Sequence, residues 1–222
     1  MLYKETVSTN TLELLKDLIS NSTLNHFFLV GGTALSLQIG HRISVDIYLF
    51  SQIPFDENEI SEYLETEKGL LLQYISKNTI KGTINNIKVD LISHIYPLVD
   101  NLSVIEGIRL CGIRDIAAMK LNAIAGNGTR LKDFVDIAFL SDHLSLRDMV
   151  NAYEIKYKSR NPAITIKALA FHEDINKDEP IQLVNQPYKW EPIKKRLFEM
   201  IKYPDKVFIE KSGLKDFFSS SK

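Results

Sequence analysis

Apolar residues recur at helical spacing over residues 10–20, where Leu12, Leu15, Leu18 and Ile19 fall on one face and Asn10 and Glu13 stand at capping-box spacing. The apolar run Phe27-Phe28-Leu29-Val30 stops at Gly31-Gly32, which predicts a buried strand entering a tight turn. Thr33 to Ile39 reads as a short helix with Gly40 as its C-cap. Residues 44–50 alternate: Val45, Ile47 and Leu49 point one way, Ser44, Asp46 and Tyr48 the other. Asp56 and Glu59 then open a polar helix that runs to about Lys68.

Segments 70–76, 78–84 and 87–93 read as three further strands. Asn85-Asn86 suits a tight hairpin turn, because asparagine tolerates positive φ. In the last strand Val89 and Leu91 share one face, Lys88 and Asp90 the other. From about Ile113 the period becomes helical, with helices expected near 113–125, 131–142, 146–158, 162–172 and 190–202. Ser145 and Asp148 form another capping box, and Gly126-Asn127-Gly128 separates the first two of these helices. The tail beyond Pro204 is weakly patterned, and Phe217 to Lys222 reads as a frayed end. A mixed sheet in residues 26–93 followed by a run of helices is an α+β pattern. We expect a sheet-bearing core over 1–110 and a helical region over 111–222 packing on it.

Composition narrows this little. The 222 residues are 45% hydrophobic and 25% charged, ordinary for a globular protein able to bury a core without disulfides. Lys and Arg number 27 against 28 Asp and Glu, so any RNA-binding face would have to be a local basic patch. Cys111 is the one cysteine, which excludes an intrachain disulfide and argues against structural zinc. Residues 1–10 are polar, and no apolar run approaches the roughly 18–20 residues of a membrane span. A cytoplasmic protein without membrane association is expected.

Three features bear on chemistry. Gly31-Gly32-Thr33 at a strand-to-helix turn would let backbone approach an anion at a helix N-terminus, although such a pair alone is more often plain turn chemistry. Asp46 and Asp90 stand on the open faces of two strands, where they could converge on magnesium, an ion that takes hard oxygen ligands; two solvated aspartates fit the pattern equally well. Lys132, Asp133 and Asp136 share a helix that follows a stretch containing Lys120. A lysine held by an acid can present its ammonium to phosphate, but a solvated i,i+4 pair of about 0.3–0.5 kcal/mol is the commoner outcome.

Taken in order, Phe28-Leu29-Val30-Gly31-Gly32-Thr33-Ala34-Leu35 and His41-Arg42-Ile43-Ser44-Val45-Asp46 resemble the first motif of the AbiEii/AbiGii toxin family of nucleotidyltransferases. Residues 115–140, with Lys120, Lys132, Asp133 and Asp136, are similar to its later motif. Lys167-Ala168-Leu169, Phe171-His172-Glu173-Asp174 and the Trp190 helix are similar to its C-terminal region, so the resemblance covers roughly 25–202. It implies a nucleotidyltransferase fold and transfer of a nucleoside monophosphate from a nucleoside triphosphate to an acceptor, tRNA or other RNA, with Mg2+ and a cognate antitoxin protein. By the same resemblance Gly31, Gly32 and Thr33 would contact the triphosphate, and Asp46 and Asp90 would hold metal. Lys120 and Lys132 would neutralise phosphate charge with Asp136 positioning one of them, while Arg42 and Ser44 would brace the motif.

The sequence departs from that pattern twice. Where the family motif places a second aspartate, two residues after the first, this chain has Tyr48. A phenol is neutral at pH 7 and offers neither the charge nor the paired oxygens of a carboxylate, so a two-ion clamp loses its shared ligand. Asn127 stands in a loop where relatives often carry arginine. Both losses leave open a catalytically inactive descendant that binds nucleotide or a partner protein. His26, His94, His143 and His172 show no ligand spacing and read as surface or structural, and Tyr153 and Tyr157 as a packing pair.

Overall fold

Asn85 and Asn86 both adopt positive φ (51° and 63°), the two-residue turn that matches the right-handed twist of a hairpin, and they join β4 (Thr79–Ile84) to β5 (Ile87–Ser93). In the computed structural model, which describes residues 1–158 and 160–209, this hairpin lies within a seven-stranded mixed sheet. The other strands are β1 (Phe28–Val30), β2 (Ile47–Ser51), β3 (Leu71–Ser76), β6 (Ser103–Ile105) and β7 (Ile108–Leu110), in the spatial order β3-β4-β5-β2-β1-β7-β6. β2 runs parallel to β5 with Tyr48 opposite Asp90, and antiparallel to β1 with Tyr48 opposite Val30. With the helices this makes an α+β fold, as the periodicity predicts.

The chain divides into two compact units, residues 1–97 with 101–112, and 98–100 with 113–222. The first unit contains the whole sheet. Its core is built from Leu29, Ile47, Leu49, Val89 and Leu91, with Leu15, Leu18 and Leu35 from helices α1 (Thr9–Ser20) and α2 (Gly31–Ile39). Helix α3 (Glu57–Lys68) packs against β3 and β4, capped by Asp56 at its start and by Gly69, φ 69°, at its end.

Two local expectations shift. The cap of α1 is Ser8, whose Oγ accepts from Thr11 N, so Asn10 lies inside the helix rather than before it. Val45 is 57% exposed and β2 begins only at Ile47, which places Asp46 at the entrance of the strand. The hairpin β6–β7 carries no strand signal in the sequence, because three-residue strands are too short to display alternation.

The second unit is helical: α4 (Ile113–Gly126), α5 (Leu131–Leu140), α6 (Leu146–Lys156), α7 (Pro162–Ala170) and α8 (Trp190–Lys202). α4 packs against α5, α6 and α7, and α8 against α5 and α7. The expected Ser145–Asp148 capping box forms. Residues 98–100 join this unit because the buried Asp115 carboxylate accepts from Val99 N and Asp100 N at 2.9–3.1 Å. The segment after Pro204 is docked despite its weak pattern: Phe208 N donates to Ser141 O at 2.8 Å, and the Arg196 guanidinium stacks 4.3 Å from the Phe208 ring. The expected frayed end at 217–222 lies outside the described residues. Among the described residues no helix is long and apolar enough to cross a membrane.

Candidate functional site

The first-unit site grows from the β1–α2 turn. Gly31 takes φ +73°, a left-handed conformation that glycine adopts without steric cost. Gly32 follows with a different need. A Cβ there would stand 2.2 Å from Arg42 Nη2, so the buried guanidinium can reach the turn only because Gly32 carries hydrogen. The N-cap Val30 supplies no side-chain bond, and the first N–H groups of a helix have no partner within it. The turn therefore presents uncapped donors at the positive end of α2, an arrangement that suits an anion.

Asp46 is tethered to this turn. Thr33 Oγ1 bonds both Ser44 Oγ, at 2.9 Å, and the backbone carbonyl of Asp46. Arg42 Nη1 donates to Ile43 O at 3.0 Å. Arg42, Thr33 and Ser44 are all buried, so they act as braces, and the Thr33 hydroxyl is spent on Ser44 and the Asp46 carbonyl. Continuing the β2–β5 register past Ile47↔Val89 sets Asp46 level with Lys88.

Asp90 is reached across the register from Tyr48. Its side chain is only 4% exposed, and its Oδ1 is buried with no hydrogen-bond partner among the described residues. Burial pushes its carboxyl up from the usual carboxylate value; Lys88 and Lys81 oppose that rise, and the charge of Asp46 adds to it.

Tyr48, where the family resemblance leads one to expect a second aspartate, has a partner of its own. Lys88 Nζ donates to Tyr48 Oη at 3.1 Å, lies 5.2 Å from the centre of the Tyr48 ring, and is 3.7 Å from Asp90 Oδ2. The Tyr48 bond is the largest cause that raises the Lys88 ammonium above its ordinary value, against the cost of partial burial. Alternation along the strand places Lys88 and Asp90 on one face, and the position of Lys88 two residues before Asp90 is the sequence signal for this contact. Among the described residues no group of three or more His, Cys, Asp or Glu side chains is gathered that could hold a metal ion.

The second-unit residues are placed within that unit. Lys120 Nζ lies 2.6 Å from Asp133 Oδ1 and 2.7 Å from Asp136 Oδ2, all three side chains nearly fully buried. Asp136 therefore holds Lys120, the residue one helix away, rather than the sequence neighbour Lys132. Lys132 pairs with Glu179 at 3.3 Å and also donates its backbone N–H to that carboxylate. Asn127 Oδ1 accepts from Thr129 Oγ1 at 3.0 Å and serves its own loop. His172 is buried against the rings of Phe134, Trp190 and Phe198, a structural role.

Residues 13–205 match the family described as nucleotidyl transferase AbiEii toxin, type IV TA system. An uncharacterized protein of Aquifex aeolicus is 33% identical over 204 residues, covering 89% of this chain and 95% of its own length. Two Helicobacter pylori structures share the fold. A candidate nucleotidyltransferase is 20% identical with a TM-score of 0.52 over 89% of this chain and 96% of its own, and JHP933 is 21% identical with a TM-score of 0.51 over 90% and 93%.

Proposed function

The chain belongs to the AbiEii family of nucleotidyltransferase toxins, and on that premise we propose that it binds a nucleoside triphosphate at Gly31, Gly32 and Thr33 and transfers the nucleoside monophosphate to an RNA hydroxyl, that of a tRNA in the first instance. The observation that carries this reading is the buried, unpartnered Oδ1 of Asp90 on β5, the strand beside β2, whose entrance holds Asp46 tethered to an uncapped helix N-terminus. A lone buried carboxylate oxygen is costly unless something positive meets it.

That oxygen and the Asp46 carboxylate are hard donors, and they fit one Mg2+. Bound there, the ion would supply Lewis-acid polarisation of a phosphoryl oxygen. The residues do not fit a second ion on the Tyr48 side, where a neutral phenol and the Lys88 ammonium stand.

In the proposed reaction the turn N–H groups orient the phosphates, and Arg42, Thr33 and Ser44 hold Gly32 and Asp46 in place. Asp90 takes the proton of the attacking hydroxyl. An O–Pα bond forms, the Pα–O–Pβ bond breaks, and pyrophosphate leaves. Lys120 and Lys132 have the phosphate-neutralising role by family resemblance. Within their own unit Lys132 is held by Glu179, and Lys120 by Asp133 and Asp136. A cognate antitoxin protein would be the partner.

A second reading, a non-catalytic protein that retains nucleotide affinity, is favoured by the Lys88–Tyr48 bond in place of a carboxylate. Incubation with each labelled nucleoside triphosphate, Mg2+ and total tRNA separates the two. Slow transfer that rises in Tyr48→Asp supports the enzyme; a variant as silent as the parent, with intact triphosphate binding, leaves the binding protein.

A further inference from the structure

Lys88 is a residue of this site to which the family resemblance assigns no role, and it is held among charged and polar partners. It sits on β5, two residues before Asp90 and on the same face, with Asp90 opposite Tyr48 on β2. Its Nζ meets the Tyr48 hydroxyl at 3.1 Å and approaches Asp90 Oδ2 at 3.7 Å. The side chain is 44% exposed, so solvent and solutes reach it while its Nζ is bonded to Tyr48. An ammonium has three donors, and one bond to Tyr48 with a longer approach to Asp90 leaves capacity for an incoming oxygen.

Charge bookkeeping points the same way. A set of three carboxylates repels a triphosphate until divalent ions intervene. Asp46 and Asp90 with the Lys88 ammonium carry two fewer negative charges, and one positive charge is already in place. A divalent ion on the Tyr48 side would meet that ammonium as a like charge and find a phenol where it needs a carboxylate. Lysine is a strong phosphate binder acting as a point charge, so the geometry that excludes an ion is one that accepts a phosphate oxygen.

We propose that Lys88, pinned by Tyr48 beside Asp90, is the built-in cation of this site and binds the polyphosphate of a nucleoside triphosphate, so that binding needs no divalent ion. The proposal rests on the nucleotide site argued above. Transfer through the single ion at Asp46 and Asp90 is a separate requirement.

Calorimetric titration of the full chain with the four non-hydrolysable triphosphate analogues, in Mg2+ and in EDTA, tests it. For the analogue bound, affinity in EDTA should lie within about threefold of that in Mg2+. Lys88→Met should weaken binding in EDTA by about tenfold or more, and Lys88→Arg should restore most of it. Thermal unfolding confirms that each variant is folded; should Lys88→Met not be, Lys88→Gln takes its place. Parent binding that disappears in EDTA, or a neutral variant that binds like the parent there, overturns the role of Lys88 and leaves the nucleotide site standing. Absence of binding by every analogue in both buffers overturns the nucleotide site, and this inference with it.

Discussion

Gly32 lies directly against the guanidinium of Arg42: a Cβ on Gly32 would stand 2.2 Å from Nη2 and 3.4 Å from Ser44 Oγ. Arg42 is buried and bonded to Ile43 O, so it has little room to withdraw. Gly32→Ala should therefore displace the Arg42 side chain behind the turn, costing about 1–3 kcal/mol of stability as overpacking does. Triphosphate affinity should fall in parallel. Chemical denaturation and calorimetry on the same preparation check both, and an alanine variant indistinguishable from the parent would remove Arg42 from the site.

Tyr48 and Lys88 act as a unit, so restoring the carboxylate alone should restore only part of the activity. In Tyr48→Asp the Lys88 ammonium would pair with the new carboxylate. We expect a gain in nucleotidyl transfer of about tenfold, equivalent to ~1.4 kcal/mol off the barrier. The double variant Tyr48→Asp with Lys88→Met should gain more, and its rate should depend more steeply on Mg2+. Rates measured across a Mg2+ series distinguish this from additive effects.

The Asp115–Lys156 pair, 2.7 Å apart and almost wholly buried, ties α4 to α6 and accepts the backbone of residues 99–100 as well. Asp115→Ala strips the buried ammonium of that carboxylate. The expected loss is about 3–5 kcal/mol in unfolding free energy. Lys120→Met should act similarly through Asp133 and Asp136. Equilibrium denaturation of the variants measures both losses, and a change well below 1 kcal/mol would show these pairs to be dispensable.

His172 should make the fold acid-sensitive. Burial holds its ring below the ordinary histidine value; its Nε2 contact with Leu169 O at 2.8 Å opposes that, and the charges of Lys194 and Lys177 add to the depression. The unfolded chain therefore binds the proton first. Stability is fully present above about pH 6.5 and declines as pH falls through that value toward the depressed folded pKa. His172→Phe, which keeps an aromatic ring among Phe134, Trp190 and Phe198, should flatten the decline in Tm on that side.

Much of this protein was legible locally. Alternation along 87–93 put Lys88 and Asp90 on one face, paired asparagines marked the hairpin, Gly40 marked the end of α2, and Ser145 with Asp148 marked the start of α6. The order of motifs pointed to the family, and Tyr48 was visible as a letter. These features depend on residues within a turn or two of one another, where side-chain period and backbone preference act directly.

Only the tertiary structure decided which charges meet. Tyr48 and Lys88 are forty positions apart, and Lys120 and Asp133 thirteen, yet each pair is in contact. Sheet register placed Tyr48 level with Asp90, and helix packing gave Asp136 to Lys120 instead of Lys132. Periodicity tells each side chain which way to point. Its partner is chosen when the elements close on one another, since the cost of burying a charge is settled by whatever the fold brings alongside it.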